Sequence, residues 1–86
     1  MKRAKKIDAL RKLRAFVKSG NFIYRWDGLC GAIRYGLYDE TTKGQRIYLI
    51  SLIPREKPYE GYCWKPGAKA PRIKFINEHL KRLEKK

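Results

Sequence analysis

The sequence predicts a mainly α-helical fold, in one small domain of three or four helices. The first observation is length: 86 residues support a single core, which buries about 60–65% of the unfolded surface at this size. The second is composition: 43% of the residues are apolar and eleven residues are aromatic, which is enough to form that core. The third is that apolar residues recur at helical intervals at both ends of the chain.

The N-terminal segment, residues 3–18, has the clearest helical pattern. Its apolar side chains recur every three or four residues and share one half of a helix: Ile7, Leu10, Leu13, Phe16 and Val17. The other half carries Lys5, Asp8, Arg11, Lys12 and Lys18. Residues 19–21 predict the end of this helix, since Gly20 can adopt the left-handed conformation that closes helices.

A second, glycine-rich helix is predicted after Asp27, whose carboxylate can accept backbone N–H bonds as an N-cap. One side of it collects Leu29, Ala32, Ile33, Gly36 and Leu37. A glycine inside a helix costs about 1 kcal/mol relative to alanine. The three glycines between residues 28 and 36 therefore indicate that another element packs very close to this helix.

Residues 45–53 are open to either helix or strand, and a strand here would make the domain α+β. Their apolar side chains are β-branched or aromatic enough for a strand, whereas Thr41 and Thr42 in front of them resemble a helix cap. Pro54 and Pro58 end the segment in either case, and a loop is predicted to about residue 70.

A last amphipathic helix follows, with Pro71 suited to its first turn. Its buried stripe and that of the first two helices define the expected core. The predicted core residues are Ile7, Leu10, Leu13, Val17, Leu29, Ile33, Ile73, Ile76, Leu80 and Leu83.

The charge distribution is the strongest functional signal. Net charge is +14, and residues 1–18 contribute +7 and residues 69–86 contribute +5, so the two terminal helices carry most of it. A magnitude of about 2 to 8 is enough for the solubility of a small domain. The excess predicts an anionic partner, although lysines and arginines that only solvate the surface are the simpler alternative.

The predicted binding residues fall into two groups. The outward sides of the terminal helices supply Lys5, Arg11, Lys12, Lys74, Lys81 and Lys85. The Pro66-Gly67 turn and its surroundings supply Trp64, Lys65, Lys69 and Arg72, where aromatic rings beside cations could stack bases or hold a nucleotide. The competing interpretation is that the tryptophan packs in the core while the lysines are solvated.

Few side chains suited to catalysis or metal binding are present, and we expect no enzyme activity, no cofactor and no metal. His79, the single histidine, falls between Phe75 and Leu83 on the buried side of the last helix, which favours a structural role. Cys30 and Cys63 lack metal-binding spacing and are expected to be buried reduced thiols. Because no membrane span and no secretory signal pattern is visible, we expect a cytoplasmic protein, without a membrane partner.

Three segments resemble a family of small, mostly uncharacterised tailed-phage accessory proteins. They are GLCGAI at residues 28–33, YCWKPG at residues 62–67 and PRIKFI at residues 71–76. The family shares a GLC-A-I helix, a YxWxPG turn and a closing PRIxF(I/L) helix. The resemblance implies a mainly helical fold in which residues 41–53 are helix, location in the host cytoplasm, and no active site to transfer.

Three functions are compatible with these features. The first is stoichiometric binding to a host protein or defence complex with an acidic surface, as an inhibitor or recruiter. The second is non-specific binding of nucleic acid, and the third is capture of a nucleotide signal near Trp64. The sequence does not define the oligomeric state.

Overall fold

The computed structural model describes residues 1–19, 28–53 and 69–85, and these ranges contain helices and turns without any strand. The elements, in chain order, are α1 (Arg3–Lys18), α2 (Gly28–Gly31), a π-helical turn (Ala32–Gly36), α3 (Lys43–Leu52) and α4 (Lys69–Glu84). The prediction of a mainly helical small domain is confirmed for the described residues. The proposed cap at Asp27 and the side chain of Leu29 lie outside them.

Residues 45–53, which were open to helix or strand from the sequence, lie almost entirely in helix α3, so the strand is wrong. Thr42 caps the helix: the Thr42 hydroxyl accepts a hydrogen bond from the Gln45 backbone N–H at 3.1 Å, and the Thr42 N–H donates to Gln45 Oε1 at 3.0 Å. These reciprocal hydrogen bonds satisfy the backbone N–H groups of Thr42 and Gln45 at the start of the helix. Gln45 and Leu49 are buried while Ile47 between them is 59% exposed, which indicates a helix, because a strand would place all three side chains on one face.

Helices α1 and α4 pack antiparallel and form the main layer of the domain. Their direction follows from the pairs that join them: Arg11 of α1 bonds Glu84 at the end of α4, and Arg14 bonds Asn77 about two turns earlier in α4. Helix α3 and the π-helical turn both contact the other flank of α1. Helix α1 is therefore the central element, with charged edges on both sides.

The core confirms most of the predicted positions. Fully buried among them are Leu10, Leu13, Val17, Ile33, Ile76 and Leu80. Ile7, Ile73 and Leu83 are partly buried and pack against the same cluster. Core residues beyond the predicted set are Ala9, Cys30, Ala32, Leu37, Leu49 and Ile53.

The close approach expected at the glycine-rich helix occurs at Gly36. A Cβ atom placed on Gly36 would lie 2.5 Å from Phe16 Cζ of α1, closer than two carbon atoms can approach. Gly36 ends the π-helical turn, and the Leu37 N–H donates to the Ala32 carbonyl at 3.1 Å, five residues back. The absence of a side chain at Gly36 lets the turn pack directly against the Phe16 ring.

Gly36→Ala is therefore expected to destabilise the domain by about 1–3 kcal/mol, because the Phe16 ring must move out of its packed position. Gly44→Ala is the matched control. Gly44 lies in the first turn of α3, where an added Cβ meets only the Thr42 hydroxyl at 3.9 Å. There the gain in helix propensity should stabilise the protein by up to about 1 kcal/mol. Urea unfolding measures both, and two changes of the same sign would contradict the packing.

Candidate functional site

A groove lined by three lysines lies along α4, at the end of α1. It has a volume of about 910 Å³ and is open to solvent. Its lining contains Lys18 of α1 and Ala70, Ile73, Lys74, Asn77, Glu78 and Lys81 of α4. The α4 residues follow one another at three- and four-residue intervals, so they form one continuous stripe along the helix.

The groove has an apolar floor and a charged rim. Ala70 and Ile73 contribute apolar surface, and the lysine side chains add their aliphatic stems. Among the described residues, Lys18, Lys74 and Lys81 take part in no ion pair. Their ammonium groups are thus available to an anionic ligand, and Glu78 is the one carboxylate that interrupts them along the described lining.

Two arginines of α1 form hydrogen bonds to side chains of α4. Arg11 Nη2 lies 2.6 Å from Glu84 Oε2, and Arg14 Nη1 donates to Asn77 Oδ1 at 2.8 Å. The Arg11–Glu84 ion pair is exposed, so solvent screens it and it contributes little to stability. Both contacts run between α1 and α4, and Asn77 is itself part of the groove lining.

On the opposite flank of α1, Lys12 is already paired with groups of the protein itself. Lys12 Nζ lies 3.0 Å from Asp8 Oδ2 and donates to the Glu40 carbonyl at 2.6 Å. Asp8 also accepts a hydrogen bond from Gln45 Nε2 at 3.0 Å, and the bonds from Lys12 and Gln45 lower the pKa of its carboxyl. The predicted set Lys5, Arg11 and Lys12 is consequently spread over two flanks, with two of its three cations already paired.

The remaining predicted residues lie in different environments. Lys85 is exposed just after α4, and Lys69 begins that helix. Arg72 is buried, with 1% of its surface exposed, so it does not belong to the solvent-facing cations of α4. Trp64 and Lys65 lie outside the described residues, as does the proposed nucleotide pocket around them.

An aromatic corner that sequence reasoning missed lies on the α3 side of the domain. Tyr35 and Tyr38 are 60% and 62% exposed, near the end of the π-helical turn. The Arg46 guanidinium lies over the Tyr38 ring at 4.5 Å and donates to the carbonyls of Tyr38 and Thr41 at 3.0 and 2.6 Å. The tyrosine spacing alone carried no distinct signal, because both residues fit the polar side of a predicted helix.

His79 occupies the half-buried position that its place in the pattern predicted. Its ring meets Phe75 edge-on, with centroids 4.7 Å apart and an interplanar angle of 68°. Burial and the nearby positive charge of Arg82 lower the His79 pKa, while Glu78 acts in the opposite direction. The imidazole is therefore neutral at pH 7.

This lowered His79 pKa predicts a pH dependence of stability. The folded state binds fewer protons at His79 than the unfolded state, so the free energy of unfolding should fall as pH drops below about 6.5. In His79→Asn that fall should be reduced between about pH 5 and 7, since Asp8 contributes only below about pH 4. Urea unfolding at several pH values measures this, and an equal slope in the variant would contradict it.

Within residues 1–19, 28–53 and 69–85, no group of three or more histidine, cysteine or acidic side chains is arranged to hold a metal ion. In the same ranges, no helix has the length and apolarity needed to cross a membrane. In comparisons with protein-family models, with curated proteins and with solved structures, the chain matches none.

Proposed function

We propose that this protein acts by stoichiometric binding to an acidic surface of a partner protein, through the α4 groove and the cations beside it. The observation that carries this proposal is the set of three lysines, Lys18, Lys74 and Lys81, which no described carboxylate pairs and which surround apolar surface. Unpaired lysines attract an anionic partner over distance, and burial of the apolar floor adds affinity at contact.

The composition of the groove favours a protein over nucleic acid. Glu78 lies in the lining between Lys74 and Lys81 along α4, where it would repel a continuous row of phosphates. The described lining supplies aliphatic surface instead of aromatic rings on which bases stack. A protein surface that alternates carboxylates with apolar side chains complements this arrangement better.

The resemblance to small tailed-phage proteins supports a host protein or defence complex as the partner, bound in the host cytoplasm. Stoichiometric binding needs no catalytic group, which agrees with a structural role for His79. Binding would then inhibit or redirect the partner by covering its acidic surface.

The test is capture from a host lysate on the immobilised full chain, with and without nuclease. We expect a protein that remains after nuclease treatment, forms a complex of fixed stoichiometry by native mass spectrometry, and binds more weakly as salt rises from about 50 to 200 mM. The salt dependence follows from screening of the lysine charges. A capture that nuclease abolishes, or an affinity indifferent to salt, would overturn the proposal.

Binding of single-stranded nucleic acid is the second candidate, and the aromatic corner supports it. The exposed Tyr38 ring lies beside the Arg46 guanidinium, which is the combination that stacks bases and neutralises phosphate, and Tyr35 is a second exposed ring three residues earlier. Asp39 and Glu40 next to it weaken the local positive charge, and for that reason we rank it second. It predicts the opposite result in the capture experiment, with loss of bound material after nuclease treatment.

A further inference from the structure

We infer that the α4 groove receives an acidic amphipathic helix of the partner. This inference rests on the proposed function and specifies the chemistry and shape of the segment that is bound. The stripe from Ala70 to Lys81 runs about 16 Å along α4 at 1.5 Å per residue. That length accommodates about three turns of a second helix lying alongside it.

The form of the groove favours a helix as the occupant. Its α4 side is a straight row of residues at helical spacing, and Lys18 at the end of α1 forms the facing edge. A second helix packs into such a row at an axial distance of about 8–10 Å. Recognition of amphipathic helices in grooves commonly uses apolar anchors at positions i, i+3, i+4 and i+7.

The chemistry of the lining defines the two faces of that helix. Ala70 and Ile73 form the apolar floor and require small or aliphatic anchors. Lys18, Lys74 and Lys81 at the rim require carboxylates on the flanks of the apolar stripe. A helix of glutamates and leucines with a single apolar stripe meets both requirements.

The experiment uses a fluorescein-labelled 14-residue peptide of glutamate and leucine, with its leucines on one helical stripe, and the full-length protein. A peptide of the same composition with dispersed leucines tests the need for the stripe. We expect the amphipathic peptide to bind at least about tenfold more tightly, which corresponds to about 1.4 kcal/mol. Fluorescence anisotropy measures both affinities, and circular dichroism detects helix formation in the bound peptide.

Charge reversal locates the binding site. The variant Lys74→Glu with Lys81→Glu should weaken peptide binding at least about tenfold. The matched control, Lys5→Glu with Lys43→Glu, changes the net charge equally at exposed lysines outside the groove lining and should change the affinity less than about threefold. Circular dichroism establishes that both variants fold, and the single variants Lys74→Gln and Lys81→Gln provide a milder test if either does not.

Three results would overturn the inference: equal binding of the two peptides, equal weakening by the two double variants, or Lys74- and Lys81-dependent binding of dT14 without binding of the peptide. Capture of the partner from lysate on the two double variants distinguishes failure of this inference from failure of the proposed function. If the partner is retained by the groove variant but lost from the control variant, protein binding stands and the groove is not its site. If no protein survives nuclease treatment, the proposed function itself fails.

Discussion

Ile76→Ala should lower the free energy of unfolding by about 2–5 kcal/mol. Ile76 is 0% exposed and lies in the core cluster between α1 and α4. Truncation removes buried apolar atoms and leaves a cavity that the neighbouring side chains fill only in part. Because small domains have only about 5–15 kcal/mol of stability, this loss should be large enough to populate the unfolded state.

Ile47→Ala is the matched control for that measurement. Ile47 also lies in a helix, α3, but is 59% exposed. Its truncation creates no cavity, and alanine is the better helix former, so stability should change by less than about 0.5 kcal/mol. Chemical denaturation should show a lower midpoint with unchanged slope for Ile76→Ala alone. Similar midpoints for the two variants would contradict the packing of α4 on α1.

Gln45→Ala should also lower the free energy of unfolding, by about 2–4 kcal/mol. Gln45 is only 2% exposed, and its amide closes the capping box of α3. Its Nε2 also donates to the Lys5 carbonyl and to Asp8 Oδ2 of α1, both at 3.0 Å. One side chain therefore joins the start of α3 to the first half of α1, and its removal breaks three partly buried hydrogen bonds, each of which contributes about 0.5–1.5 kcal/mol.

Thr42→Ala separates the two roles of this amide. It removes the hydroxyl that caps α3 but leaves the bonds from Gln45 to α1, so its cost should be only about 1 kcal/mol. Unfolding of the two single variants and the double variant measures the coupling between them. Equal losses from Gln45→Ala and Thr42→Ala would show that the bonds to Lys5 and Asp8 add nothing.

The terminal helices could be predicted from sequence because their apolar stripes are long and regular. Helix α3 was ambiguous because its β-branched and apolar residues dominate a short segment. The pair that decides it, Thr42 with Gln45 three residues later, has the sequence spacing of a capping box. The π-helical turn was not predictable, because a five-residue hydrogen-bond interval leaves little trace in so short and glycine-rich a segment.

Of the predicted binding residues, Lys74 and Lys81 are exposed and line the groove, whereas Lys18, which also lines it, was not among them. The pairing of the other predicted cations was harder to predict from the sequence, because Arg11 meets Glu84 and Lys12 meets the Glu40 carbonyl across 73 and 28 residues of sequence. Such contacts depend on how the helices pack. The burial of Arg72 did have a signal, because it precedes Ile76 by four residues and so shares its side of α4.

Lysine footprinting of the nuclease-treated complex locates the bound partner on the unmodified sequence. Acetylation rates, measured by mass spectrometry with and without the bound partner, report which ammonium groups the interface covers. We expect strong protection of Lys18, Lys74 and Lys81, which line the groove, and little change at the exposed Lys5 and Lys43. Protection of Lys5 and Lys43 with unchanged acetylation in the groove would contradict it.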